Sequence, residues 1–125
     1  MAKSANAGEL RTFVQIKRPK SEKNANGYTV TEWLNIYGGE TYVGVKWVNA
    51  HGQEVFDALS AGVKDLATVT MRFTPKVSPT CRVYLRSEAE AYAKGELRPY
   101  EVISLDNVDQ RGRWLELKVK RVVSA

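Results

Sequence analysis

The first third of the chain constrains the fold most, because two strand-like runs flank a tight-turn signal. The run FVQIKR alternates with a period of two and places its smaller apolar side chains on one face, as a half-buried strand does. Asn26-Gly27 supplies the positive φ angles that hairpin turns require, and the run YTVTEW follows and ends at Trp33. The polar residues 20–25 are expected to lengthen the connection. The chain is therefore predicted to begin with an antiparallel β-hairpin.

Five later runs show strand character. They cover residues 42–50, 66–73, 81–86, 100–108 and 113–123, and the last two are predicted to form a closing hairpin around the sequence DQRG. Large apolar side chains on these runs and on the opening hairpin are the candidate core: Trp33, Val45, Trp47 and Leu117.

Two segments depart from the strand pattern. Apolar residues between positions 53 and 63 recur at spacings of three and four, which favours a short helix. Residues 87–99 contain Ala89, Ala91 and Ala93 with interspersed Glu and Lys, which are good helix formers, and Gly95 is suited to end a helix there, so an exposed helical insertion between two strands is predicted. The fold class expected is mainly β, a small antiparallel β-barrel or sandwich with one or two short helices, because closing a sheet removes its exposed edges.

Length and composition limit the classes of protein. A chain of 125 residues suits one domain, here residues 10–123 after a flexible lead of residues 1–9 that lacks the apolar stretch of a secretory signal. No apolar run approaches the roughly 20 residues of a membrane span. The net charge of +5 favours contact with polyanions. The basic residues at 17–23 and 111–121 are interpreted first as a solvated face, with a nucleic-acid face as the alternative.

The sequence offers little for catalysis. His51 is the single histidine, and Cys81 is the single cysteine and lies in a strand-like run with no activating signature. The acidic residues Glu88, Glu90 and Glu96 fall in the helical insertion, where solvation is the expected reason for them. No phosphate-binding loop or dinucleotide fingerprint is present. We therefore expect no enzymatic activity, no metal and no cofactor.

The order of these short motifs resembles the head–tail joining, or head-closure (stopper), proteins of long-tailed phages. The resemblance extends from Gly8 to Val123 and depends on the order and spacing of elements that are individually unspecific. Those elements are Leu10-Arg11, Trp33, Trp47 followed by Gly52-Gln53-Glu54, Met71-Arg72-Phe73, and Tyr100-Glu101-Val102-Ile103. Met71 and Phe73 replace the more usual residues conservatively, and the insertion at 87–99 is longer than the short turn typical of the family.

The resemblance implies a structural protein of the virion neck, assembled in the host cytoplasm. Twelve copies would form a ring below the portal that closes the DNA-filled head and joins it to the tail. The implied partners are other copies of the chain, a portal or adaptor protein, a tail-terminator or tail-tube protein, and packaged double-stranded DNA through non-specific contact, with no membrane.

By the same resemblance, residues 49–65 are the loop that lines the DNA channel. The candidate residues of that loop are Asn49, His51, Gln53, Glu54, Phe56, Asp57, Ser60, Lys64 and Asp65. A helix that covers the core is an equally weighted interpretation of the segment, since Val55, Phe56 and Leu59 would pack well against a barrel.

The leading alternative function is a small-barrel nucleic-acid-binding module that stacks bases on exposed aromatic rings surrounded by basic residues. Tyrosines would supply those rings: Tyr28, Tyr37, Tyr42, Tyr84 and Tyr92. Burial would explain the same tyrosines equally well. A small-molecule enzyme is the third and weakest alternative.

Overall fold

Seven antiparallel strands form most of the computed structural model, which describes residues 7–50, 65–107 and 112–122. The strands are β1 (Thr12–Lys23), β2 (Thr29–Asn35), β3 (Val43–Asn49), β4 (Ala67–Arg72), β5 (Arg82–Leu85), β6 (Tyr100–Asn107) and β7 (Trp114–Arg121). A 3-10 turn at Ala7–Glu9 precedes β1. A second 3-10 turn, Arg86–Glu88, leads into the helix α1 (Ala89–Ala93), and both lie between β5 and β6.

Strand β1 closes the sheet into a barrel. The sheet order is β2-β1-β3-β4-β7-β6-β5, and β1 also pairs with β5, so six strands form a closed wall and β2 remains outside it. Closure is possible because the twelve residues of β1 serve three partners in succession: first β3, then β5, then β2. The predicted antiparallel β fold is confirmed, and of the two predicted forms of closure it is the barrel.

The barrel core follows from the strand alternation. Val45 and Leu117 are fully buried, and Trp47 is partly buried and packs against the same cluster of apolar side chains. Trp33 lies apart from that cluster, because β2 is outside the barrel wall; the Arg82 guanidinium lies 4.2 Å from the centroid of its ring.

The opening hairpin is confirmed, with a shorter connection than predicted. Gly27 has φ +82°, and the Asn24 side-chain oxygen accepts hydrogen bonds from the backbone N–H groups of Asn26 and Tyr28. Residues 20–23 lie in β1, not in the connection, because β1 continues past the barrel and pairs with β2. Most of this projecting two-stranded arm is exposed on both faces, so polar residues are compatible with strand there.

The other predicted elements divide into those described and those outside the described residues. The closing hairpin of β6 and β7 and the short helix of the insertion are confirmed, with Gly95 at φ +74° just beyond α1. The helix predicted between positions 53 and 63 lies outside the described residues. Near the start of the chain, the Glu9 carboxylate forms an ion pair with the Lys46 ammonium at 3.0 Å. Among the described residues, no helix has the length and apolar character needed to cross a membrane.

Candidate functional site

The segment at positions 49–65 leaves and rejoins the barrel at one point of the wall. The Ala50 N–H donates to the Leu66 carbonyl oxygen at 2.9 Å, and the Trp47 indole N–H donates to the Asn49 side-chain oxygen at 2.9 Å. Asp65 has φ +53°, a left-handed conformation that aspartate tolerates better than most residues. Of the candidate channel residues, Asn49 and Asp65 are therefore placed at the base of the segment. The others lie outside the described residues: His51, Gln53, Glu54, Phe56, Asp57, Ser60 and Lys64.

Arg121, at the end of β7, joins this base to the helical insertion. Its Nε donates to Asp65 Oδ2 at 2.9 Å. Its two terminal nitrogens donate to the two Glu88 carboxylate oxygens at 2.8 and 3.1 Å. The remaining two N–H groups donate to the Arg98 carbonyl oxygen at 3.0 Å and to the Tyr100 hydroxyl oxygen at 2.9 Å. All five guanidinium N–H donors are thus satisfied. We call Arg121, Asp65, Glu88, Tyr92 and Tyr100 the Arg121 cluster.

The alternation of β7 explains why an arginine is enclosed here. Leu115, Leu117 and Val119 point into the barrel, and Arg121 continues the same face at the barrel end with its side chain 14% exposed. The guanidinium lies 4.3 Å from the centroid of the Tyr100 ring. Trp47 meets the same ring edge to face at 4.8 Å, so the cluster rests directly on the core.

Tyr92 ties helix α1 into the cluster. Its hydroxyl donates to Glu88 Oε1 at 2.6 Å and accepts from the Leu85 N–H at 3.1 Å. Burial and the bond to the Glu88 carboxylate raise the pKa of Tyr92, so the phenol remains protonated. Burial alone would lower the pKa of Arg121, but its hydrogen bonds to Glu88 and Asp65 outweigh burial and raise it. The cluster is therefore a fixed arrangement of one cation, two carboxylates and two neutral phenols.

Acid is expected to weaken the cluster. Burial would raise the pKa of Glu88, but the hydrogen bonds from Arg121 and Tyr92 outweigh burial and hold it below its ordinary value of 4.5. The unfolded chain then binds the proton more readily than the folded one, so the stability contributed by Glu88 is present above about pH 4.5 and is lost as the pH falls through the folded pKa. We expect the urea midpoint to fall more steeply below about pH 4.5 in the parent than in Glu88→Gln. Glu90→Gln, an exposed change two residues further along in helix α1, should follow the parent, and parallel curves for parent and Glu88→Gln would contradict the assignment.

Two members of the cluster correct interpretations made from the sequence. Arg121 was grouped with solvated basic residues and Glu88 with solvated acids, yet their side chains are 14% and 20% exposed and joined at 2.8 Å. The reason is that both face the end of the barrel and not its outer surface. One signal in the sequence could have identified Arg121: it continues the odd-numbered apolar positions of its strand.

Aromatic and basic side chains also meet on the outer surface near the seam between β1 and β5. The Lys17 ammonium lies 4.6 Å from the Tyr84 ring centroid, and the Arg86 guanidinium lies 5.7 and 5.8 Å from the rings of Phe13 and Tyr42. Three of the five candidate stacking tyrosines lie elsewhere, and Tyr92 is one of them, in the Arg121 cluster. Tyr37 packs against the core, and Tyr28 is 70% exposed at the hairpin turn.

The residues considered for catalysis do not form a reactive constellation within the described part of the chain. Cys81 is buried, and its sulfur lies 3.5 Å from the Ser78 backbone nitrogen. No group of three or more His, Cys, Asp or Glu side chains that could hold a metal occurs among the described residues. His51 is not among those residues.

Comparison with known proteins finds a matching family model and a solved structure of similar fold. A family model described as phage head completion protein matches residues 5–122. No curated protein matches the chain. The solution structure of a Shigella flexneri 2a protein aligns with a TM-score of 0.61 at 17% identity, covering 97% of this chain and 100% of the other. A chain from the virion of a native gene transfer agent particle aligns with a TM-score of 0.49 at 16% identity, covering 92% and 98% of the two chains.

Proposed function

The chain belongs to the phage head completion protein family, and from this membership we propose that it assembles as a ring below the portal, closes the DNA-filled head and joins it to the tail. The family is one of structural phage head proteins, not of enzymes. The observation that carries the proposal is the extent of the match, which includes every strand of the barrel together with the segment at positions 49–65.

We assign the closing role to residues 49–65. The barrel wall on either side of the segment is paired independently of it, from Lys46 opposite Thr70 to Val48 opposite Thr68. The Arg121 cluster holds the returning end through Asp65. A segment anchored at both ends of a rigid wall can be positioned in a channel without disturbing the fold. The proposed partners are further copies in a ring of twelve, a portal or adaptor protein, a tail-terminator or tail-tube protein, and packaged DNA, in the neck of a virion assembled in the host cytoplasm.

A nucleic-acid-binding module remains the second candidate, because basic and aromatic side chains do meet at the β1–β5 seam. The geometry there supports it less well than the ring. Arg82 and Lys17 already lie over the Trp33 and Tyr84 rings, the surfaces on which a base would have to stack.

Shortening the segment tests the proposal. We expect a variant that joins Gly52 to Gly62 to keep the urea midpoint of the parent, because the flanking strand pairs remain. Heads completed with this variant should retain about tenfold fewer genomes, since a channel without its closing segment leaves DNA under self-repulsion free to escape. A matched control replaces residues 53–61 with Gly and Ser at unchanged length. It distinguishes the effect of the length of the segment from the effect of its side chains.

Amide exchange supplies the second measurement. Elements that rearrange on assembly are drawn from the less stable parts of a fold, so residues 55–59 should exchange early in the free protein. Strong protection of residues 55–59, together with full DNA retention by the shortened variant, would show that the segment is a helix that covers the core.

A further inference from the structure

On the outside of the barrel, two pairs of residues directly opposite each other on neighbouring strands carry like charges. Lys17 of β1 lies directly opposite Arg82 of β5, which we call the basic pair. Asp106 of β6 lies directly opposite Glu116 of β7, which we call the acidic pair. The flanking side chains of Ile16, Val83, Leu115 and Leu117 are buried in the core, so these four alternate positions point outward. Like charges directly opposite each other destabilise a sheet, so both pairs are unfavourable in an isolated subunit.

No described carboxylate compensates the basic pair. Neither Lys17 nor Arg82 makes an ion pair within the described residues, and each cation is positioned by a ring, at 4.6 Å from Tyr84 and 4.2 Å from Trp33. Glu101 lies across from Arg82, but its carboxylate pairs with Lys120 at 3.4 Å. The basic pair is thus held in place by rings and makes no ion pair of its own among the described residues.

The acidic pair is likewise without a cation in the described part of the chain. Two cations share its face but are directed elsewhere. Lys118 Nζ donates to Thr68 Oγ1 at 2.8 Å, and the Arg72 guanidinium lies 5.6 Å from the Trp114 ring centroid. Asp106 is exposed and Glu116 half-exposed, so both carboxylates are accessible to another molecule.

We propose that the basic pair of one copy contacts the acidic pair of the next copy in the ring, a contact that rests on the proposed function. Directly opposed residues in antiparallel sheets have Cα atoms about 5 Å apart, so the Cα spacing of the basic pair matches that of the acidic pair. The pairs lie on different parts of the wall, β1–β5 and β6–β7, so one copy can use both at once. A repeated contact between two different surfaces is the arrangement that generates a ring. The contact removes both repulsions, and the rings already restrict the two cations, which lowers the entropy lost on association.

DNA phosphates could also satisfy the basic pair, but they would leave the acidic pair unexplained and would be repelled by it. A second copy accounts for both pairs, so it is the occupant that the charges favour.

Charge reversal tests the contact in DNA-filled heads that lack this protein and are supplied with purified variants. One variant carries Lys17→Glu and Arg82→Glu, a second carries Asp106→Lys and Glu116→Lys, and a third carries all four changes. Lys23→Glu with Lys94→Glu is the control, since it changes the net charge as much as the first variant does, at exposed positions outside both pairs. Far-ultraviolet circular dichroism and urea midpoints verify that every variant is folded.

We expect each two-residue variant alone to complete about tenfold fewer heads than the parent, because like charges then meet across the contact. A 1:1 mixture of the two variants, and the fourfold variant alone, should restore completion, since opposite charges meet again. The control should match the parent.

Full activity of both two-residue variants, or no recovery in the mixture or the fourfold variant, would overturn the contact. If only the first variant fails, gains nothing from the mixture and loses binding to double-stranded DNA in a gel-shift assay, the basic pair binds nucleic acid and the proposal is wrong. Failure of the parent itself to complete heads would instead refute the proposed function.

A single change gives an independent readout. Asp106→Lys places opposite charges across β6 and β7, so it should raise the urea midpoint of the free protein while lowering head completion. A merely structural acidic pair would give unchanged head completion, and that result would also overturn the proposal.

Discussion

Replacing Arg121 with alanine should lower the free energy of unfolding by about 3 kcal/mol, because it leaves the largely buried Glu88 carboxylate without its cation. The expected loss comes mainly from Glu88, whose side chain is 20% exposed and receives two N–H donors from the guanidinium. The Asp65 side chain is 56% exposed and contributes little. Urea unfolding followed by tryptophan fluorescence measures the difference.

Three further variants test whether the loss of stability in Arg121→Ala comes from the contact between Arg121 and Glu88. Arg82 lies over a ring and makes no ion pair among the described residues. Arg82→Ala should therefore lower the free energy of unfolding by about 1 kcal/mol or less. Arg121→Lys should recover only part of the loss, because an ammonium cannot reproduce the five-donor fork. The double variant Arg121→Ala with Glu88→Gln should cost less than the sum of its single changes. A loss below about 1 kcal/mol for Arg121→Ala would mean that solvent compensates Glu88 fully.

Trp47→Ala should also destabilise the protein by about 3 kcal/mol, since truncating a large aromatic side chain leaves a cavity that the barrel cannot fill. Trp47 packs against the buried cluster, meets the Tyr100 ring edge to face at 4.8 Å and donates to the Asn49 side chain at 2.9 Å. The substitution therefore weakens both the core and the platform beneath the Arg121 cluster. Thermal and urea unfolding are the measurements.

Val48→Ala is the matched control, because Val48 follows Trp47 on the same strand but points outward and is 42% exposed. Val48→Ala should change the free energy of unfolding by no more than about 0.5 kcal/mol. Equal midpoints for Trp47→Ala and the parent would show that the inner face of β3 has been assigned incorrectly.

The strands of the barrel wall were predictable because apolar and polar residues alternate along most of them. Val14 and Ile16 of β1 and the odd-numbered positions of β7 mark the core face without reference to the rest of the chain. The projecting arm was harder to predict. Residues 20–23 are polar on both faces, a pattern that also fits a loop, and only pairing with β2 shows them to be strand.

The Arg121 cluster could not be predicted in the same way, because its members meet only when the barrel closes. Arg121 lies 56 positions from Asp65 and 33 from Glu88. No local pattern joins such distant residues, and an arginine after a run of alternating lysines resembles a solvated one. The alternation along β7 shows that Arg121 lies on the inward face of the strand. Which residues it contacts depends on where the fold places three other segments of the chain.

The triple pairing of β1 has a consequence for how the protein is made. β1 leaves the ribosome about 70 residues before its partner β5, and contacts so distant in sequence slow folding. Until then one edge of β1 remains unpaired, an open template for another strand. The charged and proline-containing stretch of β1 from Lys17 to Lys23 pairs early with β2, so the mainly apolar stretch from Val14 to Ile16, which waits for β5, is the part of the nascent chain most open to wrong strand pairing.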